Sequence, residues 1–120
     1  MPKILIIDDE PDVLEFQSAY LLKRNYEVTT AKDSLEALAA LSQTLFDVVF
    51  CDIRLEQDTS GLSILKRAKE LYPQLIIYLV TGLVDTQIIA QGLQLGAREV
   101  LGKPLPNQAM EQKIKEALGL

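Results

Sequence analysis

Five short apolar runs, KILII (3–7), YEVTT (26–30), DVVFC (47–51), QLIIYLV (74–80) and EVLG (99–102), recur along the chain with amphipathic segments between them. No other feature limits the possible folds so strongly. The intervening segments PDVLEFQSAYLLKRN, DSLEALAALSQ, SGLSILKRAKELY and VDTQIIAQGLQLG, and PNQAMEQKIKEALG after the fifth run, carry apolar residues three or four apart, the spacing of one helix face. Start signals agree with helices there. Pro11 suits a first helical turn, Asp33 or Ser34 can cap the second helix, Asp85 the fourth, and Pro106 can open the last. Pro73, Gly96 and Gly102 punctuate other ends.

Strict strand and helix alternation specifies a parallel sheet with right-handed crossovers and helices on both faces. KILII, DVVFC and LIIYLV lack alternating polarity, as strands buried on both faces do. A chain of 120 residues with 48% hydrophobic and 24% charged content fits one domain with its own core, expected to span 1–120. Other classes are excluded by the same composition. The net charge of -5, with acids spread along the chain, disfavours direct binding of nucleic acid, which calls for clustered cations. Cys51 is the single cysteine, so no intrachain disulfide forms, and beside Asp52 in a buried strand it reads as a small core hydrophobe. LIIYLV is the longest apolar run, far short of the roughly 20 residues of a membrane-crossing helix. The segment after Met1 shows no signal-peptide pattern. A soluble, cytoplasmic protein with no membrane partner is the expectation.

In open parallel sheets the functional crevice lies beyond the carboxyl ends of the strands, where strand order reverses. Those ends are Asp8 and Asp9 after the first run, Asp52 after the third, Thr81 and Gly82 after the fourth, and Lys103 with Pro104 after the fifth. Asp8, Asp9 and Glu10 stand side by side, and like charges crowded at a buried edge repel unless a positive charge lies between them. Carboxylates gathered at one rim are hard oxygen ligands suited to Mg²⁺ that keeps several waters. Mg²⁺ and the Lys103 ammonium are the expected counter-charges. Taken singly, each residue has a plainer role: Asp8 and Asp9 as helix caps, Asp52 as a turn residue, Lys103 as a solvated lysine, Thr81 as a loop closure. It is their combination that points to a site.

IIDDEPD, the lone acid of VVFCDIRL, the VTG segment and LGAREVLGKP, in this order and at these intervals, resemble the receiver domain of two-component response regulators over nearly the whole chain. The resemblance implies a flavodoxin-like (βα)5 sandwich, strand order 2-1-3-4-5. It implies that Asp52 accepts a phosphoryl group from a histidine kinase or phosphotransfer protein. Asp9 would be a direct Mg²⁺ ligand with Asp8 assisting, and the Arg54 carbonyl a further ligand. Thr81 and Lys103 would contact the phosphoryl group. Chemistry supports such roles, because a weak carboxylate nucleophile meeting an anion depends on positioning and charge neutralisation. Thr81 OH and the Gly82 amide can donate to the new oxygens. The chain would then catalyse its own phosphotransfer and dephosphorylation, with no separate turnover substrate.

Departures from the family pattern set further expectations. Glu56 stands where a proline is usual, and Gly61 falls one residue late, which suggests a one-residue insertion; Glu56 and Asp58 read as a solvated acidic loop. Val100 occupies the switch position that usually holds an aromatic residue. An output domain or partner protein would be switched through the fourth helix, fifth strand and last helix, with a phosphorylation-dependent homodimer as one outcome. Ile88, Ile89 and Leu93 exceed one buried stripe, so some should be exposed, whereas Met110, Ile114 and Leu118 read as core. The turn Gly102-Lys103-Pro104, which has to aim an ammonium back into the crevice, predicts a cis Lys103–Pro104 bond. Two other classes compete: a receiver-shaped interaction module that never sees phosphate, opposed by intact Asp52 and Lys103, and a haloacid dehalogenase-type phosphatase, whose Asp-x-Asp pair is missing.

Overall fold

The computed structural model describes residues 1–54, 60–82 and 85–120. Five strands and five helices alternate: β1 (Lys3–Ile7), α1 (Pro11–Lys23), β2 (Glu27–Ala31), α2 (Ser34–Gln43), β3 (Val48–Asp52), α3 (Ser60–Leu71), β4 (Ile76–Thr81), α4 (Thr86–Gln94), β5 (Glu99–Gly102) and α5 (Asn107–Leu118). The strands form one parallel sheet in the order β2-β1-β3-β4-β5. This is the doubly wound architecture expected from the alternation. Local signals act largely as expected. Pro11 occupies the first turn of α1, Asp33 accepts from the Glu36 amide at 2.8 Å, and Asp85 accepts from the Ile88 amide at 2.8 Å. Pro106 differs: it is the N-cap of α5 in extended conformation rather than its first turn.

The central strands are doubly buried because successive residues feed opposite faces. Ile4, Ile6, Val48, Phe50, Tyr78 and Val80 pack with Leu14 and Leu21 of α1 and Met110 and Ile114 of α5. Phe50 and Tyr78 stack across the strands with centroids 5.3 Å apart. Leu5, Ile7, Val49, Cys51, Ile77 and Leu79 face the other layer, where Ala37, Leu41, Ile64, Leu65 and Ala68 come from α2 and α3. Cys51 is wholly buried, and burial pushes its thiol up, so it is core as expected. Edge strands β2 and β5 retain exposed positions.

One polar cluster was not visible in the sequence. Glu111 of α5 is buried, accepting from Tyr20 OH at 3.2 Å and Tyr26 OH at 3.2 Å and pairing with Arg24 Nε at 2.6 Å. Arg24 also lies over the Tyr20 ring at 5.4 Å. Burial alone would raise the Glu111 carboxyl, but the bonds from Arg24, Tyr26 and Tyr20 outweigh it and hold the group below its ordinary value. The carboxylate therefore fastens α5 to the end of α1.

A depressed folded-state carboxyl contributes stability that is complete above its unfolded value, about 4.3, and is lost as pH falls through the folded value. Glu111→Ala should therefore cost about 2 kcal/mol at neutral pH in urea unfolding, and the deficit should shrink as pH drops below 4.3. A deficit independent of pH would show that packing, not the charge, matters at this position.

Candidate functional site

Sheet register assembles the site. Ile7 of β1 is level with Cys51 of β3, so Asp8 and Asp52, each one residue further, leave the sheet side by side. Asp52 is level with Val80, and Thr81 with Gly102, which brings Thr81 and Lys103 to the same rim. The Lys103 amide donates to the Thr81 carbonyl at 2.8 Å. Chain connections diverge where β1 lies between β2 and β3, and that switch point is where the acids gather.

Lys103 Nζ donates to Asp52 Oδ2 at 2.8 Å and to Asp8 Oδ2 at 3.0 Å, with Glu10 Oε1 at 3.9 Å. Asp8 and Asp52 are buried while Asp9 and Glu10 are exposed. Adjacent residues leaving a strand diverge, so the Lys103 bridge joins Asp8 to Asp52 across two strands rather than neutralising the Asp8-Asp9 pair itself. The second oxygens are held by the backbone: the Glu10 amide donates to Asp8 Oδ1 at 2.9 Å and the Arg54 amide to Asp52 Oδ1 at 3.1 Å. Burial pushes the Asp52 carboxyl up, and Lys103 only partly offsets this. Burial pulls the Lys103 ammonium down, but its bonds to Asp52 and Asp8 prevail and leave it above its ordinary value. Two buried acids sharing one ammonium leave the site short of positive charge.

Carboxylate oxygens of Asp8, Asp9 and Glu10 lie within 4.8 Å of one another. This is a hard-oxygen donor set that fits a small divalent cation with retained waters. Glu10 joins Asp8 and Asp9 in this set, a place that the acidic run in the sequence does not by itself assign to it. Thr81 is buried at the end of β4, and Gly82 is exposed with open space where a side chain would stand. The Lys103–Pro104 bond is cis, as the turn suggested. Glu56, Asp58, Leu83 and Val84 lie outside the described residues.

A family model for the response regulator receiver domain matches residues 4–115. The chain belongs to the receiver domain family. Two curated relatives are ZraR of Salmonella typhimurium, 30% identical over 115 residues, and PilR of Pseudomonas aeruginosa, 33% identical over 120 residues. These alignments cover 96% and 98% of this chain but 26% of each relative, so the chain spans about a quarter of their length. Among solved structures, a CheY-like receiver domain protein from Methanospirillum hungatei JF-1 superposes with TM-score 0.93 at 31% identity, over 99% of this chain and 94% of the other. CheY4 of Vibrio cholerae gives 0.91 at 28%, over 98% of both. This receiver is thus of the phosphoacceptor class in two-component signalling, whose members work with histidine kinases and output domains and bind Mg²⁺ at an acidic pocket. Among the described residues no helix is long and apolar enough to cross a membrane.

Gly61 is a positioning residue that its place in the sequence only hinted at. It donates its amide to the Ile53 carbonyl at 2.9 Å, and a Cβ there would stand 2.6 Å from Ile53 Cα and strike the Asp52 carbonyl. The start of α3 is thereby pressed against the backbone that carries Asp52. Gly61→Ala should cost about 1–3 kcal/mol through overpacking and shift the Asp52, Ile53 and Arg54 amide resonances. Unchanged stability and unchanged spectra would show that the close approach relaxes freely.

Proposed function

We propose that residues 1–120 act as one receiver domain in which Asp52 is the phosphoacceptor. The observation that carries this is the Lys103 ammonium bonded at once to Asp52 and Asp8, which supports a rim built to gather charge around one carboxylate. Asp8, Asp9, Asp52 and the Arg54 carbonyl would hold Mg²⁺, with Glu10 at the edge of the cluster. Bound there, the ion would offset the charge that two buried acids and an incoming phosphoryl group bring together. An oxygen of Asp52 attacks phosphorus, the bond from phosphorus to the donor nitrogen or oxygen breaks, and an aspartyl phosphate results. Lys103 stays within reach of Asp52 and takes up a phosphoryl oxygen as charge develops. Thr81 hydroxyl and the Gly82 amide donate to the remaining oxygens. Water later cleaves the mixed anhydride and resets the domain.

Readout runs through α4, β5 and α5. A Cβ at Gly92 would lie 2.7 Å from Leu79 Cδ1 and 3.0 Å from Val100 Cγ2, so α4 rests closely on β4 and β5, with Val100 at the switch position. Leu93 is 48% exposed and Ile88 and Ile89 are half-buried, which supports a surface for an output domain, a partner protein or a second copy. With no aromatic at Val100 to lock a shifted loop, the phosphorylated monomer populates the active state only in part, and the partner completes the shift. A cytoplasmic histidine kinase or phosphotransfer protein is the donor this chemistry calls for.

Acetyl phosphate with Mg²⁺ should modify the protein once, at Asp52; Asp52→Asn should abolish the modification and Lys103→Met should slow it by about 10²-fold. Mass spectrometry showing equal modification of wild type and Asp52→Asn, or full modification in chelator, would reject the assignment. Beryllofluoride should alter amide exchange in α4, β5 and α5. Changes confined to α1 would refute that route of readout.

A further inference from the structure

At the opposite edge of the sheet from the acids lies a polar cavity of about 150 Å³, formed by the end of α3, the entry to β4 and the turn between α4 and β5. Lys69 and Arg98 line it, and among the described residues no acid does. Lys69 Nζ donates to the Leu75 carbonyl at 2.8 Å, which fixes the ammonium there, and an ammonium has further donors beyond this one. Its stem crosses Gly96, where a Cβ would stand 3.0 Å from Lys69 Cε. Burial, and then the neighbouring Arg98 charge, pull the Lys69 ammonium below its ordinary value. Among the described residues no carboxylate pairs with either cation. In a chain of net charge -5, two cations are thus held together with no acid between them, the arrangement that favours an anion. The carbonyl ends of α3 and α4 offset this only in part, since a helix end carries about half a negative charge.

We infer that this pocket binds a phosphate group, free or at the end of a small ester. The planar fork of Arg98 suits two phosphate oxygens side by side, and the Lys69 ammonium serves a third as a point charge. Volume sets the size of the ligand. A space of 150 Å³ equals about five waters, room for a tetrahedral oxyanion but below the roughly 300 Å³ at which pockets for larger molecules begin. β4 runs from Ile76 beside the pocket to Thr81 at the acidic rim, about 17 Å at 3.3 Å per residue. The site is therefore separate from the rim, and the inference does not rest on Asp52 being the phosphoacceptor. Bound phosphate ties the end of α3 to the entry of β5 and, by binding the folded chain, raises its stability.

Inorganic phosphate is the first probe, exchanged for chloride at constant ionic strength so that screening cancels, and without Mg²⁺ so that the acidic rim repels the anion. Amide resonances of Lys69, Leu75, Gly96 and Arg98 should shift, and those of Asp8, Asp52 and Lys103 should stay in place. Arg98→Gln and Lys69→Met should each weaken binding about tenfold, and Arg98→Lys should recover only part of the loss because it lacks the fork. Arg98 is exposed, so its variants leave the core intact. Methyl phosphate is the second probe: affinity equal to that of inorganic phosphate assigns the site to an ester, and weaker affinity assigns it to the free ion. No shift at the four amides, or a phosphate affinity unchanged in either Arg98→Gln or Lys69→Met, would overturn the site.

Discussion

Two buried carboxylates held apart by one ammonium are the constraint around which this molecule is arranged. Asp8 and Asp52 emerge from neighbouring strands, and Lys103 from the far side of the sheet reaches both. Burying charge is costly unless it is paired and hydrogen-bonded. Here the free oxygens are met by the Glu10 and Arg54 amides. Even so, burial keeps the Asp52 carboxyl above its ordinary value. A rim that still lacks positive charge offers hard oxygen donors that fit a divalent cation.

The rest of the fold makes that arrangement rigid. Parallel register aligns the carboxyl ends of β1, β3, β4 and β5, and apolar layers on both sides fix the strands. Gly61 lets α3 begin against the strand that carries Asp52, and Gly92 does the same for α4 against β4 and β5. Close approaches of this kind leave little room for either helix to settle in another position. Glu111, far along the chain from its partners, ties α5 to α1. The acidic rim and the α4, β5 and α5 face thus share one scaffold.

The fold was legible in the sequence because its signals are local and periodic. Apolar runs of strand length, helix-spaced apolar stripes and caps at Asp33 and Asp85 each depend on residues within a few positions of one another. The acids and Lys103 were legible for a related reason: in alternating parallel sheets the residue after each strand is delivered to the same edge whatever the details. What the sequence by itself determined is therefore the architecture, the family and the set of residues at the rim. Only the tertiary structure decided which groups pair. That Lys103 bridges Asp8 to Asp52 and leaves Asp9 exposed, and that Glu111 is buried among Tyr20, Arg24 and Tyr26, depend on separations of up to 95 positions along the chain. Such distances follow from register and packing between elements, and no local pattern encodes them, because the same acid on the same helix face is solvated or buried according to what the neighbouring element places against it.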